Sequence, residues 1–284
     1  MNAEESGGGL AGYFEGLAEA AQKTLGKDGG NRFFYMPSGP IAETPATYNY
    51  KYEDITFPAL DGVALNGWFL PAMSVEKAKG TVVFSHGNAG ALGHHFGFVA
   101  WYVRAGYNVF MYDYRGFGKS KGEIARAGVV SDVEAAFRYV KTRKDVDFSR
   151  LISYGHSLGG ASSITALGRK NIPGLRAVIT FAGFASYRDM AQKVAGDWGA
   201  SVVTDELSPR DFVSKISPVP ILIVHGEADG VVPFSQSELL FKNAREPKTF
   251  MPIKDGDHQQ ALWKNDEKYR KEILRWLDEV LARK

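Results

Sequence analysis

Gly155-His156-Ser157-Leu158-Gly159 sets a serine between two glycines, directly after the apolar run Leu151–Tyr154 and directly before a helical segment. A serine on a sharp strand-to-helix turn is thrust out of the backbone, where it can attack a carbonyl. The flanking glycines remove the Cβ atoms that would clash as strand and helix approach each other. A serine hydroxyl is a weak nucleophile until a base takes its proton. Of six histidines, His258 stands in a loop, Lys254-Asp255-Gly256-Asp257-His258, between the last strand and the last helix. Such a loop can carry an imidazole over the end of a sheet toward Ser157. Asp229, in His225-Gly226-Glu227-Ala228-Asp229-Gly230 after another apolar strand, is the candidate to orient that imidazole. Glu227 and Asp257 are the alternative acids. Charge developing on the attacked carbonyl needs backbone donors. Leu158 supplies one N–H, and Asn88, in Ser85-His86-Gly87-Asn88-Ala89-Gly90, is the candidate for the second. The HGNAG run also serves simply to turn the chain into the following helix, a role compatible with the first.

These residues need a scaffold, and the hydrophobic pattern describes one. Period-two runs at Tyr52–Phe57 and Val63–Leu70, separated by Asp61-Gly62, read as a hairpin. Short β-rich runs follow at Thr81–Ser85, Tyr107–Tyr112, Leu151–Tyr154, Ala177–Phe181, Ile221–Val224 and Lys248–Met251. Helical stretches lie between them near 91–105, 126–143, 158–169 and 234–244, and an amphipathic helix is expected over about 261–282. TVVF, AVIT and ILIV are apolar throughout, as strands covered on both faces are. The reading is an α/β fold, a mostly parallel sheet with helices on both sides. One connection, about 183–220, is far longer than a strand linkage requires and is expected to form a small cap over the site. Upstream, residues 1–49 read as a tail with an amphipathic helix whose face is Leu10, Phe14, Leu17, Ala21 and Leu25. That helix is expected to pack on its own domain or to support a homodimer. Five acids against two lysines in residues 1–30 argue against docking on anionic lipid, so membrane-surface contact is the minority reading.

Taken together, HGNAG, the run Asp113-Tyr114-Arg115-Gly116-Phe117-Gly118-Lys119-Ser120-Lys121-Gly122, GHSLG, HGEAD and Gly256-Asp257-His258 resemble the α/β-hydrolase superfamily. The YRGFGxSxG run beside HGNAG is most similar to the bud-emergence-type serine hydrolases and their lipase and depalmitoylase relatives. The resemblance covers about residues 50–284, with five motifs in the family's order. It implies an eight-stranded sheet with the second strand antiparallel and an ester- or thioester-cleaving activity. It carries Ser157, His258 and Asp229 into the roles of nucleophile, base and orienting acid, and Asn88 and Leu158 into the oxyanion hole.

Composition limits the alternatives. The 284 residues contain no cysteine, which excludes disulfides, thiolate metal sites and a cysteine nucleophile. With 34 basic and 32 acidic residues there is no electrostatic case for nucleic acid. No run approaches a membrane span, and the opening MNAEESGGGL lacks the basic and apolar regions of a signal peptide, so a cytoplasmic protein is expected. The expected function is hydrolysis of small carboxylic esters of short to medium acyl chain, with no cofactor or metal. Thioesterase, depalmitoylase, lysophospholipase-like and prolyl-oligopeptidase-like peptidase activities are the alternatives. Phe184, Tyr187 and Trp198, from the 183–220 insertion, together with Trp101 or Phe96, are the candidate walls of an acyl pocket, the equal alternative being that the insertion's aromatics simply pack it on the core.

Overall fold

The computed structural model describes residues 29–40, 43–264 and 267–283. The helix expected between Leu10 and Leu25 lies outside these residues. In chain order the strands are β1 (Met36–Pro37), β2 (Glu53–Pro58), β3 (Ala64–Leu70), β4 (Thr81–Ser85), β5 (Ala89–Gly90), β6 (Asn108–Tyr112), β7 (Leu151–His156), β8 (Leu175–Phe181), β9 (Ile221–Gly226) and β10 (Lys248–Ile253). The α-helices are α1 (Leu92–His95), α2 (Ala100–Arg104), α3 (Arg126–Val140), α4 (Leu158–Arg169), α5 (Tyr187–Val202), α6 (Phe234–Asn243) and α7 (Lys268–Ala282).

Eight strands form one sheet in the order β10-β9-β8-β7-β4-β6-β3-β2. Only β3 runs against its neighbours, pairing antiparallel with both β2 and β6. The turn from β2 into β3 places Gly62 at φ +85°, a conformation glycine adopts without steric cost. The sheet divides the core in two because side chains alternate along each strand. On β4, Val83 joins the cluster beneath α3 and α4, with Phe110, Val129, Val133 and Ile164. Its neighbours Val82 and Phe84 join the opposite cluster, with Tyr102, Ile152, Ile273 and Leu277. Helix α7 earns its place through that second cluster, lining up Ile273, Leu277, Val280 and Leu281.

Two local readings need correction, and one pairing was not foreseen. The helix expected over 91–105 is broken into α1, a 3₁₀ turn at Phe96–Phe98, and α2. Gly93 and Gly97 fall within that stretch, where glycine weakens a continuous helix, and the break leaves Phe98 lining a cavity. The last helix starts at Lys268 rather than near 261, with Ala261–Trp263 forming a separate 3₁₀ turn. Finally, the two-residue strands β1 and β5 pair parallel, Met36 with Ala89 and Pro37 with Gly90. A pairing this short has no periodic signature. Segment 183–220 holds α5, interrupted at Ala195 and Gly196, followed by 3₁₀ turns at Pro209–Asp211 and Val213–Lys215.

Candidate active site

Strand β7 delivers Ser157 at the carboxyl edge of the sheet. Its backbone sits at φ 53°, ψ −119°, a rare conformation for a residue with a Cβ. The surroundings hold it there. The Ser157 N–H donates to the Phe181 carbonyl at 2.9 Å, and helix α4 begins at the next residue. Gly159 is required by close approach: a Cβ there would lie 1.9 Å from the Ser85 carbonyl oxygen and 2.6 Å from that of His86.

Loops after β9 and β10 bring the partners over. His258 Nε2 lies 3.1 Å from Ser157 Oγ, and His258 Nδ1 lies 2.7 Å from Asp229 Oδ2. Asp229 is itself pinned, because its Oδ1 accepts from the backbone N–H groups of Val231 and Val232, each at 2.8 Å. Burial pulls its carboxyl upward. Hydrogen bonds from His225 and His258 outweigh burial and hold it well below the usual carboxylate range. An ionised Asp229 can only accept, so His258 carries its proton on Nδ1 and presents a lone pair on Nε2 to the serine hydroxyl. The three side chains form one hydrogen-bonded line from carboxylate to hydroxyl, an arrangement able to activate a nucleophile. The alternative acids are employed elsewhere. Asp257 accepts from the Gln259 and Gln260 N–H groups, and Glu227 is exposed.

A cavity of about 400 Å³ opens on Ser157 and His258. Asn88 lines it, on the loop that follows β4, and the buried Leu158 begins α4 immediately after the serine. The loop is strapped from outside: the Met36 N–H donates to Asn88 O at 2.7 Å and the Ser38 N–H to Gly90 O at 3.2 Å. These bonds occupy carbonyls and not the Asn88 N–H. The Asp113–Gly122 run braces the strap and the loop together. Gly118 N–H donates to Ser38 O, Tyr114 Oη to His86 O, and the buried Arg115 is held by Asp132 at 2.7 Å.

The candidate acyl-pocket residues lie elsewhere. Phe184 (3% exposed) and Tyr187 (0%) belong to the core, packed edge-on to each other and against Phe34. Trp198 is 56% exposed, on the outer side of α5. None of the three lines the cavity, whose aromatic wall is Phe98. Trp101 and Phe96 are buried and also absent from that wall. Phe184 and Tyr187 follow the alternative of packing the insertion on the core, and Trp198 follows neither reading.

The ring of His156, the residue before the serine, lies beside that of His258 (centroids 5.0 Å apart), stacked against Phe98 and Phe181. Nε2 meets the His258 carbonyl oxygen at 3.1 Å, and since a carbonyl only accepts, Nε2 carries the hydrogen. His156 therefore anchors the backbone of the loop that bears the base.

His86, His95 and His156 are all buried around the HGNAG loop, and burial lowers all three, His95 to about 4. Burial pushes the Asp113 carboxyl, 3.5 Å from His86, the other way, up to about 7. The consequences for stability have opposite signs. In the unfolded chain histidines take up protons below about 6.5, whereas the folded ones resist, so their contribution is full above that value and lost as pH falls. Asp113 keeps its proton in the folded state up to about 7 and releases it when unfolded, which favours folding at lower pH. Three histidines less one carboxyl leave about two protons taken up on unfolding near pH 5. The Tm is expected to fall between pH 7 and pH 5. His95→Gln, which can still donate to the Ala89 carbonyl, should reduce that fall by about one proton's worth. A Tm that is flat across this interval would contradict the assignment of neutral buried histidines.

Comparison with known proteins bears on the family and the fold. The family model described as "Serine aminopeptidase, S33" matches residues 76–210. YfhR of Escherichia coli (strain K12) is 38% identical over 246 residues, 85% of each chain. Protein bem46 of Schizosaccharomyces pombe is 34% identical over 203 residues, covering 70% of this chain and 67% of bem46. Among solved structures, the esterase Pf2001 of Pyrococcus furiosus superposes with a TM-score of 0.71 at 17% identity, over 87% of this chain and 98% of the esterase. Such a match speaks for the fold alone, and the fold is the one the motif order implied. By sheet topology, by motif order and by relatives that match over most of their length, the chain belongs to the α/β-hydrolase superfamily, among the serine hydrolases of the bem46-like branch.

Proposed function

We propose that this protein cleaves carboxylic esters of short to medium acyl chain through an acyl-enzyme on Ser157. The observation that carries the reading is the unbroken line Asp229–His258–Ser157, at 2.7 and 3.1 Å, opening on a cavity of about 400 Å³. His258 takes the serine proton as Oγ attacks the acyl carbonyl. Asp229 stabilises the imidazolium that forms. The N–H groups of Asn88 and Leu158 face the developing oxyanion, and His258 returns the proton to the departing alcohol. Water, activated by the same histidine, then frees the acid. The proton that leaves on the alcohol is replaced by one from that water, which His258 passes back to Ser157 Oγ.

The cavity volume stands at the small end of ligand sites, which supports acyl chains of about C2 to C8. A second reading, peptide-bond cleavage, is favoured by one observation, the aminopeptidase description of the matching family model. The same triad serves both reactions, which differ in the leaving group. The test is a panel of p-nitrophenyl esters from C2 to C16 beside aminoacyl p-nitroanilides, with a fluorophosphonate probe to report on Ser157. Labelling of Ser157 with an ester optimum at or below about C8 is the expected result. An optimum at C14 or above would contradict the chain length, and faster cleavage of the anilides would favour the peptidase. No helix among the described residues is long and apolar enough to cross a membrane. A cytoplasmic enzyme acting on dissolved esters is consistent with that.

A further inference from the structure

Asp229 serves more than one imidazole. Its Oδ2, which accepts from His258 Nδ1 at 2.7 Å, also lies 3.2 Å from His225 Nε2. His225 stands near the end of β9, fully buried, and is not part of the serine cavity wall. Its Nε2 is also 3.0 Å from the Val232 carbonyl oxygen. A carbonyl and an ionised carboxylate only accept, so Nε2 carries a hydrogen and the two oxygens share it. In the neutral ring Nδ1 then holds a lone pair, and the Ser237 hydroxyl on α6, 2.5 Å away, supplies its hydrogen. The longer contact of Ser237 Oγ with the Gly183 carbonyl, 3.3 Å, is left without one.

With the Val231 and Val232 N–H groups on Oδ1, the Asp229 carboxylate is filled on both oxygens. An oxygen divided between two donors gives less to each. Burial raises the Asp229 carboxyl, and the hydrogen bonds from both histidines outweigh it. The other groups around this contact are few. His156, at the end of β7, lies beside the His258 ring. Lys193 of α5 grips the Asp229 loop through the Gly230 and Val231 carbonyls. The Phe234 ring of α6 meets the His225 ring edge-on, centroids 5.7 Å apart.

We propose that His225 is a positioning residue for the Asp229–His258–Ser157 line: it fixes Asp229 Oδ2 and takes a share of its charge, and so tempers the pull of Asp229 on a protonated His258. The inference rests on the hydrolase reading for its kinetic readout and not for its spectroscopic one. Two amide substitutions separate the contacts of the ring. His225→Gln places an N–H donor where Nε2 stands and keeps the bond to Asp229. His225→Asn reaches only the position of Nδ1, so its oxygen still accepts from Ser237 while Asp229 loses its second imidazole-like donor. In His225→Asn the freed Oδ2 holds the imidazolium more firmly. The acidic limb of kcat/KM is therefore expected to move up by about half a pH unit or more. The kcat should fall by about tenfold with KM little changed, because His225 meets no substrate. His225→Gln should hold the limb at its parent position, whatever it does to kcat. A side chain that merely packs the loop would lower Tm and activity in both variants and leave the limb in place.

The second measurement follows the His258 ring directly, by NMR titration of the full chain with isotope-labelled histidine. Its signal is identified by its absence from His258→Gln. This titration needs no turnover, and in His225→Asn it is expected to move up with the limb. A limb that stays fixed while the His258 titration moves would show that His258 is not the base; the hydrolase reading then fails and the role of His225 toward Asp229 stands. An unmoved His258 titration in His225→Asn overturns the proposal, and so does an equal shift in His225→Gln.

Discussion

Ser157→Ala is expected to lower kcat/KM for a short-chain p-nitrophenyl ester by about 10⁴- to 10⁶-fold, with the fold intact. The magnitude follows from what is removed. Without Oγ there is no acyl-enzyme, and the residual rate comes only from the oxyanion donors and from water aligned by His258. The substitution is sterically mild. Ser157 N–H still donates to Phe181 O, and the elbow geometry is set by Gly159 and by the start of α4 rather than by the hydroxyl. Circular dichroism and an unchanged Tm would confirm the fold, and loss of fluorophosphonate labelling would accompany the loss of rate. Retention of more than about a tenth of the activity would sink the assignment of Ser157 as nucleophile.

Asp229→Asn should cost nearly as much, on the order of 10⁴-fold in kcat. The reason lies in which way an amide can face. Oδ1 accepts from two backbone N–H groups, Val231 and Val232, and Oδ2 from His258 Nδ1. An asparagine keeping its oxygen toward the two N–H groups turns its NH₂ toward His258. That donor demands a lone pair on Nδ1, which moves the imidazole proton to Nε2, where it faces Ser157 and cannot accept. The flipped amide would set NH₂ against two N–H groups. Either orientation leaves His258 poorly prepared as a base. Steady-state kinetics on the folded variant measures this. A variant within about tenfold of the parent would show that Asp229 is not the orienting acid.

The reach of the sequence follows from how each feature is encoded. Ser157, His258 and Asp229 were readable because each stands in a loop at the carboxyl end of a strand whose apolar run is unmistakable, and a parallel sheet gathers such ends along one edge. The eight main strands were readable for the same reason. The β1–β5 pairing was not: two residues on each side show no period, and the partners are about fifty positions apart. The break between α1 and α2 was hidden because Leu92, Phe96, Val99 and Val103 keep an apolar spacing across it. The anchoring role of His156 carries no local signal, because its partner, the His258 carbonyl, lies 102 positions away in the chain. The pocket aromatics failed because an aromatic in a connection can pack inward as readily as it lines a site, and only three dimensions decide.

The strap from Gly29 to Ser38 has a consequence for where this enzyme can be cut. At one end Asn31 is gripped by Arg126 at 2.7 Å and by the Thr204 N–H at 3.1 Å. At the other, Met36 and Ser38 hold the loop of Asn88. The first long strand does not begin until Glu53, so a designer trimming to the visible core would discard this segment as a leader. Shortened variants and fusion boundaries therefore belong upstream of Gly29. A loss of turnover after trimming at residue 50 would report a loosened Asn88 loop and not a missing domain.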